Sequence, residues 1–376
     1  MMKIDIALLE LGAMMIVLAT LGRVAYRFGL PAVPFYLVAG LFFGNGGLIP
    51  VEEAIAFVDI GASLGVIFLL FMLGLEYTPT ELRQSLLTNR LSHVIDIVLN
   101  ATPGLVIGLL LGWGPLGATI LAGITYVSSS GVIAKLLVDL GRLGNRETPG
   151  ILSTLVIEDL VMAVFLPVVA VLLAGDSALA GAVSGLVALS IVLVVIALPA
   201  RAGQRASRFV DAESGEVLLI SLLGIALVVA GVAEHFHVSY AIGAFLVGIV
   251  LSGQVAERAR ELLEPLRNSF AALFFVSFGL TVDPLSLVEF LPIALLLAII
   301  GGVSKFSSGY WSARRSGSST RGARRAGATL IPRGEFSIVL AGIAIAGGVN
   351  ADLGPITVAY VLILAVGGSV LARFVT

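Results

Sequence analysis

The chain has 376 residues, of which 58% are hydrophobic and only 12% are charged, and its formal net charge at pH 7 is −2. A soluble domain carries about 25% charged residues, so this composition indicates a polytopic helical membrane protein with little room for a soluble domain. The sequence contains no cysteine, which excludes disulfides, thiol catalysis and cysteine metal sites. We expect no enzymatic function, no cofactor and no nucleic-acid partner.

The apolar segments predict about thirteen transmembrane helices, because about 20 apolar residues cross a bilayer. The first segment is interpreted as a span rather than a signal peptide, since no small-residue cleavage site follows it. The predicted spans are 4–22, 31–49, 57–75, 92–113, 115–137, 149–173, 178–199, 215–233, 238–252, 268–282, 288–312, 324–347 and 352–373.

Basic residues gather in alternate connections between these spans. One side of the predicted bundle carries only Lys3, whereas the other side is rich in arginine. The arginines of that second side are Arg23, Arg27, Arg83, Arg90, Arg142, Arg146, Arg201, Arg205, Arg208, Arg258, Arg260, Arg267, Arg314, Arg315, Arg321, Arg324, Arg325 and Arg373. Because cytoplasmic loops carry the excess of Lys and Arg, we predict an inner-membrane protein with its N-terminus outside and its C-terminus in the cytoplasm.

Span four carries two polar residues near its predicted inner end. Asp96 and Asn100 are one helical turn apart. They are interpreted either as the lining of an access funnel or, for Asp96, as a residue of a helix interface.

Span five contains a stretch that makes a poor helix at membrane depth. Thr125, Ser128, Ser129, Ser130 and Gly131 fall within 13 residues of its predicted end. Irregular backbone inside a bilayer is tolerated only where it is buried in protein or lines a cavity. The stretch therefore predicts an interrupted helix that lines a site.

Span six carries two adjacent acids near its middle, Glu158 and Asp159. An ionised carboxylate at that depth costs roughly 2.5 kcal/mol or more, so such residues usually mark an ion or proton path. Adjacent helix positions point about 100° apart, so the two carboxylates cannot share one direction. We interpret Asp159 as the carrier of an ion or a proton, and Glu158 as its neighbour, paired with a cation. The alternative is a structural ion pair between packed helices.

Span eleven carries Lys305, about eight residues from its predicted cytoplasmic end and too deep for its ammonium to reach water easily. Such a charge needs a partner, and Glu158 and Glu335 are the predicted candidates. Lys305 is also interpreted as a second coupling element that releases a proton when the cation arrives.

The connection 312–327 that follows is basic and rich in Gly and Ser. It is interpreted as a positive-inside anchor or as a contact with anionic membrane lipid.

Span twelve contains a second interruption. Pro332 lacks a backbone donor and Gly334 loosens the turn. Arg333 and Glu335 flank these positions and are interpreted as an ion pair or as caps of the interrupted helix ends. Two interruptions seven spans apart predict an inverted repeat, with spans one to six and eight to thirteen as the copies and a site between the broken helices. The alternative is that small residues merely allow close helix packing.

In this order the motifs resemble one known family. They are Gly29-Leu-Pro, Leu37-Val-Ala-Gly-Leu, Leu69-Leu-Phe-Met-Leu-Gly-Leu-Glu76, Ser128-Ser-Ser130, Glu158-Asp159, Gly243-Ala-Phe-Leu-Val-Gly248, Phe274-Phe-Val-Ser-Phe-Gly-Leu280, Lys305 and Arg333-Gly-Glu-Phe336. The whole chain is similar to the second family of monovalent cation:proton antiporters, which includes the potassium-efflux antiporters and the NapA-type sodium/proton antiporters.

The resemblance implies an NhaA-like antiporter fold with two crossing broken helices, a homodimer, and an Asp159 that carries the ion. It implies a division into scaffold and transport parts. The expected segments are scaffold 1–90 (helices one to three), transport 91–174 (four to six), linker 175–200 (helix seven), scaffold 201–284 (eight to ten) and transport 285–376 (eleven to thirteen). A cytosolic regulatory domain, where the family has one, is expected on a separate polypeptide.

The residues and the resemblance together favour a secondary antiporter that exchanges K⁺, or next Na⁺, for H⁺. K⁺ comes first because the Glu-Asp version of the span-six motif looks closer to the potassium-linked branch. The alternatives are a cation channel built from the same acids and a sodium-coupled organic-anion symporter of similar fold. An intramembrane enzyme is disfavoured, since no Ser-Lys or paired-Asp protease motif is present.

Overall fold

The computed structural model describes residues 4–44, 47, 51, 53–76, 90–173, 190, 207, 210–235, 240–251 and 253–375. Within those ranges the regular secondary structure is α-helical and contains no strand. The helices are α1 (Ile4–Arg27), α2 (Val33–Phe43), α3 (Ile55–Glu76), α4 (Arg90–Leu110), α5 (Gly114–Tyr126), α6 (Ser130–Asp139), α7 (Thr148–Leu173), α8 (Gly215–His235), α9 (Tyr240–Val250), α10 (Gln254–Leu280), α11 (Pro284–Arg315), α12 (Thr320–Thr329), α13 (Glu335–Ala346) and α14 (Leu353–Phe374).

Seven stretches of the described chain are long and apolar enough to cross a membrane. They are Ile4–Arg27, Ile55–Met72, Arg90–Leu110, Gly114–Leu137, Gly215–Ala233, Pro284–Arg315 and Leu353–Phe374. Every predicted span except 178–199 overlaps a described helix. That span, apart from residue 190, lies outside the described residues, as do the predicted cytoplasmic Arg83, Arg201, Arg205 and Arg208. The protein is a multi-pass helical membrane protein.

Helix α11 carries Lys305 and is the longest described helix, with 32 residues. It begins at a strong start signal, because the Asp283 side chain accepts a hydrogen bond from the Leu285 amide at 2.9 Å and Pro284 occupies the first turn. Arg314 and Arg315 lie in its last turn, where positive charge interacts favourably with the negative end of the helix dipole. These end signals fix a continuous helix across the depth at which other helices are interrupted.

The described contacts divide the chain into two compact units. The first consists of Met1–Val58, Asn89–Asp159 and Phe275–Thr376, and the second of Asp59–Thr88 and Leu160–Phe274. All the predicted site residues lie in the first unit. One core of that unit joins α6, α7, α11 and α12 through Ile133, Leu137, Ile151, Leu155, Ala313, Ala323, Ala326 and Leu330. The scaffold and transport segments implied by the resemblance stay a prediction.

Among the described residues, each unit has two helices that cross very closely at paired glycines. In the first unit, a Cβ on Gly40 would lie 2.7 Å from the Cα of Gly279. In the second unit, a Cβ on Gly74 would lie 2.8 Å from the Cα of Gly248. Side chains at these positions would force the backbones apart, so α2 packs on α10 and α3 packs on α9 only because both partners are glycine.

Candidate ion-binding site

The first interruption separates α5 from α6. Helix α5 ends at Tyr126 because Val127 adopts extended backbone angles, φ −77° and ψ 133°. Helix α6 begins again at Ser130, and the Ser129 Oγ accepts a hydrogen bond from the Val132 amide at 3.3 Å. A serine hydroxyl that accepts from an amide of the first turn acts as an N-cap. The interruption therefore consists of residues 127–129, and the predicted Ser130 and Gly131 lie in the first turn of α6.

The second interruption separates α12 from α13. Helix α12 ends at Thr329, and helix α13 begins at Glu335. Between them lie the predicted Pro332, which has no amide hydrogen, and Gly334, whose backbone is extended. The missing helical hydrogen bonds leave backbone carbonyls in this segment that need other partners.

The two interruptions supply partners to each other. The Ser129 amide donates to the Pro332 carbonyl at 2.9 Å, and the Ser128 hydroxyl donates to the Leu330 carbonyl at 3.0 Å. The Arg333 Nη1 lies 3.1 Å from the Ser128 hydroxyl. The unpaired carbonyls of one interruption thus accept hydrogen bonds from the other. Irregular backbone is tolerated at membrane depth when it is buried in protein in this way.

The acids of α7 meet the first interruption from two directions. Glu158 is fully buried, and its Oε2 accepts a hydrogen bond from the Ser128 amide at 2.5 Å. Asp159 is 1% exposed, and the Ser130 hydroxyl lies 2.9 and 2.8 Å from its two carboxylate oxygens. Adjacent helical positions diverge, so one acid reaches the interrupted backbone while the other reaches the first turn of α6.

Lys305 lies between two carboxylates rather than beside one. Its Nζ donates to Glu158 Oε1 and lies 2.9 and 2.8 Å from the two oxygens of Asp96. The ammonium also sits 5.5 Å from the centre of the Tyr126 ring, within cation–π range. The side chain of Lys305 is fully buried. Of its two predicted partners, Glu158 is paired with it, and among the described ion pairs Glu335 is not.

Asp96 and Asn100 are placed differently from an access funnel. Asp96 is 4% exposed and Asn100 is fully buried, so neither faces an opening in this structure. Asp96 Oδ1 accepts from Ser308 Oγ at 2.6 Å and from Asn100 Nδ2 at 3.0 Å. Asn100 Oδ1 in turn accepts from Ser304 Oγ at 2.9 Å. A carboxylate needs donors when it is buried, and α11 provides them, so Asp96 is an interface residue between α4 and α11.

Glu335 and Arg333 take separate partners. Glu335 accepts a hydrogen bond from the Ser129 hydroxyl at 2.7 Å and occupies the first turn of α13, where negative charge is favourable. Arg333 is fully buried, and its Nη1 lies 3.3 Å from the Leu330 carbonyl and 3.2 Å from that of Ile331. Both residues thus bond to the interrupted segments.

Thr125 and Tyr360 connect the end of α5 to its neighbours. The Thr125 hydroxyl lies 3.0 Å from the Asn100 carbonyl, and the Tyr360 hydroxyl lies 3.3 Å from the Thr125 carbonyl. Arg333 Nε donates to the same Tyr360 oxygen at 3.1 Å. Tyr360 and Ser308 were not predicted from the sequence, because a lone tyrosine or serine in an apolar span carries no signal of its partner.

The site offers oxygen ligands to a cation but no multidentate metal cluster. Within the described part of the chain, no group of three or more His, Cys, Asp or Glu side chains is arranged to hold a metal ion. The groups at hand are single carboxylates with neighbouring hydroxyls and carbonyls. Such a set suits transient binding of a hard monovalent ion or a proton.

The first comparison concerns the fold alone. It matches a solved structure of the sodium proton antiporter MjNhaP1 from Methanocaldococcus jannaschii at pH 8, with a TM-score of 0.65 and 16% sequence identity over 99% of this chain and 96% of that one. An electron-microscopy map of the same protein gives a TM-score of 0.70 and 17% identity, over 99% of this chain and 95% of that one. The architecture is therefore that of a helical membrane antiporter fold.

The sequence then gives the family. The model of the family described as sodium/hydrogen exchanger, transmembrane, matches residues 13–376, and the chain belongs to that family. It is 35% identical over 378 residues to the K(+)/H(+) antiporter subunit KhtU of Bacillus subtilis (strain 168), which covers 98% of this chain and 93% of that protein.

A second relative is the ammonium/H(+) antiporter subunit AmhT of Alkalihalophilus pseudofirmus, 28% identical over 348 residues, with 92% of this chain and 88% of that one covered. Both relatives are transporters rather than enzymes. The family predicted from the sequence motifs is confirmed.

Proposed function

We propose that the protein is a secondary active antiporter that exchanges a monovalent cation for a proton, with K⁺ as the first candidate and Na⁺ as the next. The observation that carries the proposal is the position of Asp159. This buried acid is hydrogen-bonded to Ser130 in the first turn of α6, and the interruption just before that turn contacts the second interruption. The names of the relatives, which include a K⁺/H⁺ and an ammonium/H⁺ antiporter, support it.

Competition at one carboxylate explains the exchange. Asp159 binds either a proton or a cation, and the transport part of the protein moves only when Asp159 is occupied. The Ser130 hydroxyl suits this role because it can donate to an ionised carboxylate and can also turn its lone pairs towards an arriving cation. Glu158 and Lys305 form the neighbouring ion pair.

An inverted repeat is the architecture we propose for alternating access. If spans one to six correspond to spans eight to thirteen, span two corresponds to span nine and span three to span ten. The close crossing of Gly40 with Gly279 then corresponds to the crossing of Gly248 with Gly74. Each copy would supply one interrupted helix, as in transporters whose sites lie between two repeats. The equivalence of the two glycine crossings supports this assignment.

The wider assembly follows from the same proposal. We place the N-terminus outside and the arginine-rich connections in the cytoplasm. We propose a homodimer formed through the scaffold helices, since helices that bear the site must move during transport. The relatives are named as antiporter subunits, which supports assembly of this chain with a second polypeptide, and we propose a cytosolic regulatory subunit for that part.

The test is proton flux in proteoliposomes that contain the purified protein. Gradients of K⁺, Na⁺, Li⁺ and NH₄⁺ are imposed one at a time, and internal pH is recorded with a trapped dye. We expect a pH change that depends on the cation gradient and is largest with K⁺. Cation flux that needs no counter-gradient of protons would identify a channel instead. A flux that needs an organic anion would identify a symporter.

A further inference from the structure

The Lys305 ammonium is shared by two buried carboxylates. Nζ lies 2.8 Å from Asp96 Oδ2 and also pairs with Glu158 Oε1. The side chains of Lys305, Asp96 and Glu158 are only 0%, 6% and 1% exposed. A buried charge is strongly unfavourable when its partner is removed, so loss of Lys305 would leave two buried carboxylates without a cation.

The two acids are anchored to different parts of the site. Asp96 is bonded within the pair of helices α4 and α11, where Ser308 and Asn100 also donate to its Oδ1. Glu158 is bonded to the Ser128 amide in the first interruption. One partner of Lys305 thus lies within the contact of two continuous helices, α4 and α11. The other, Glu158, lies on the continuous helix α7 but is hydrogen-bonded to the interruption at 127–129, which we propose rearranges during the transport cycle.

We propose that Asp96 is the permanent counter-ion of Lys305 and that Lys305 therefore carries no proton across the membrane. When Glu158 turns away from the ammonium, Asp96 keeps its two contacts with Nζ, so the ammonium is never left without a carboxylate. Asp96 acts here as a positioning residue and does not itself bind the transported ion. The inference rests on the proposed function, in which Asp159 exchanges a proton for a cation.

The consequence is a fixed stoichiometry. In each cycle a protonated Asp159 releases one proton to one side and binds one monovalent cation, and the reverse exchange occurs on the other side. One positive charge moves in each direction, so the cycle transfers no net charge. If Glu158 were the single carboxylate paired with Lys305, loss of that contact would leave a buried ammonium without a counter-ion. The ammonium would then release a second proton. Two protons would be exchanged for each cation, and the cycle would generate a membrane potential.

Internal pH and membrane potential are to be recorded together in proteoliposomes with an outward K⁺ gradient balanced by choline. For the wild-type protein we expect a pH change without a potential. For Asp96→Asn we expect an inside-positive potential, because protons would enter in excess of the K⁺ that leaves. Asp96→Glu keeps a carboxylate at this position, so its exchange should transfer no net charge, as in the wild-type protein. Glu289→Gln, at an exposed position near the start of α11, is the matched control and should behave as the wild type.

A double variant covers the case in which Asp96→Asn does not fold. Asp96→Asn with Lys305→Gln removes one positive and one negative charge together, and it should still exchange protons without a potential because Lys305 is not a carrier. A potential generated by the wild-type protein would overturn the inference and leave the proposed function standing. A folded Asp96→Asn that exchanges without a potential, or a folded double variant without exchange, would overturn it as well. Absence of proton flux in the wild type with every cation would instead overturn the proposed function.

Discussion

Glu158 and Asp159 are neighbours in sequence, equally buried, and surrounded by different chemistry. Glu158 meets the Ser128 amide and the Lys305 ammonium, both of which can only donate. Asp159 meets the hydroxyl of Ser130, which can donate or accept. The first environment offers only hydrogen-bond donors to the carboxylate. The second can adapt to a carboxylate, a proton or a cation, which is what an exchanging site requires.

Both acids lie on α7, and the contrast lies in the other helices that they contact. The ion-paired side rests on α4 and α11, which run unbroken past the site. The Asp159 side rests on the first turn of α6, directly after an interruption. The carboxylate proposed to exchange thus lies beside the first turn of a helix that begins at an interruption, whereas the ammonium and one carboxylate of the ion-paired cluster lie on helices that continue past the site.

The largest expected effect comes from removing the carboxylate of Asp159, which we propose to be the exchanging group. Asp159→Asn keeps the size of the side chain but removes its negative charge, so neither a proton nor a cation can be carried, and exchange should fall to background. Asp159→Glu keeps the charge and should retain part of the activity with an altered affinity. Cation-dependent proton flux in proteoliposomes is the measurement.

Glu289→Gln serves as the control for removing one carboxylate away from the site. The elution profile and melting temperature of each variant in detergent verify that it is folded. Robust cation-dependent flux in a folded Asp159→Asn protein would contradict the role assigned to Asp159.

The sequence allowed the helices and both interruptions to be located, because Pro332, Gly334 and the serine run at 128–130 disfavour helix whatever surrounds them. It also pointed to Glu158 as a partner of Lys305, since charges at membrane depth are few and must pair. It could not distinguish an interface from a funnel for Asp96. That choice depends on the rotation and packing of α4 against α11, whose contacting residues are 209 positions apart.

The alternative partner, Glu335, shows the same limit. The predicted depth of Glu335 in the membrane matched that of Lys305. In the structure, however, the Glu335 carboxylate accepts a hydrogen bond from the Ser129 hydroxyl at 2.7 Å. Local propensity sets where a helix stops, whereas the direction in which a side chain points at an interruption is set by the segment it meets. Partner choice between Asp96, Glu158 and Glu335 was therefore a question of tertiary packing.

The next effect in size concerns the stability of the fixed charges. Lys305→Gln leaves Asp96 and Glu158 buried without their cation, and loss of one partner of a buried pair costs about 3–5 kcal/mol. We expect a marked fall in melting temperature with some exchange retained, since Asp159 is untouched. Adding Glu158→Gln to Lys305→Gln should restore part of the stability, because it removes an uncompensated acid. Adding Asp96→Asn to that double variant should restore more, because it removes the second uncompensated acid.

A double-mutant cycle decides whether the three residues interact. Melting temperatures of the single and combined variants are compared under one detergent condition, with Glu289→Gln combined with Lys305→Gln as the distant pair. Interacting residues give non-additive losses, whereas distant ones add. Strictly additive losses for Lys305 with both acids would show that the shared ion pair does not exist in the membrane-embedded protein.

The smallest effect compares two adjacent serines that bind different acids. Ser130 donates to Asp159, and Ser129 donates to Glu335 while capping α6. Removing one hydrogen bond costs about 1 kcal/mol, which corresponds to about a five-fold change in an equilibrium constant.

Ser130→Ala should therefore raise the K⁺ concentration for half-maximal exchange about five-fold and leave the melting temperature nearly unchanged. Ser129→Ala should do the opposite, lowering the melting temperature through the lost cap while the half-maximal K⁺ concentration stays close to the wild-type value. Both variants lose the same hydroxyl from neighbouring positions, so each is the control for the other. Equal shifts of the half-maximal concentration in the two variants would mean that the Ser130 hydroxyl has no special part in cation binding, and the distinction between a fixed and an exchanging carboxylate would then have to rest on Lys305 alone.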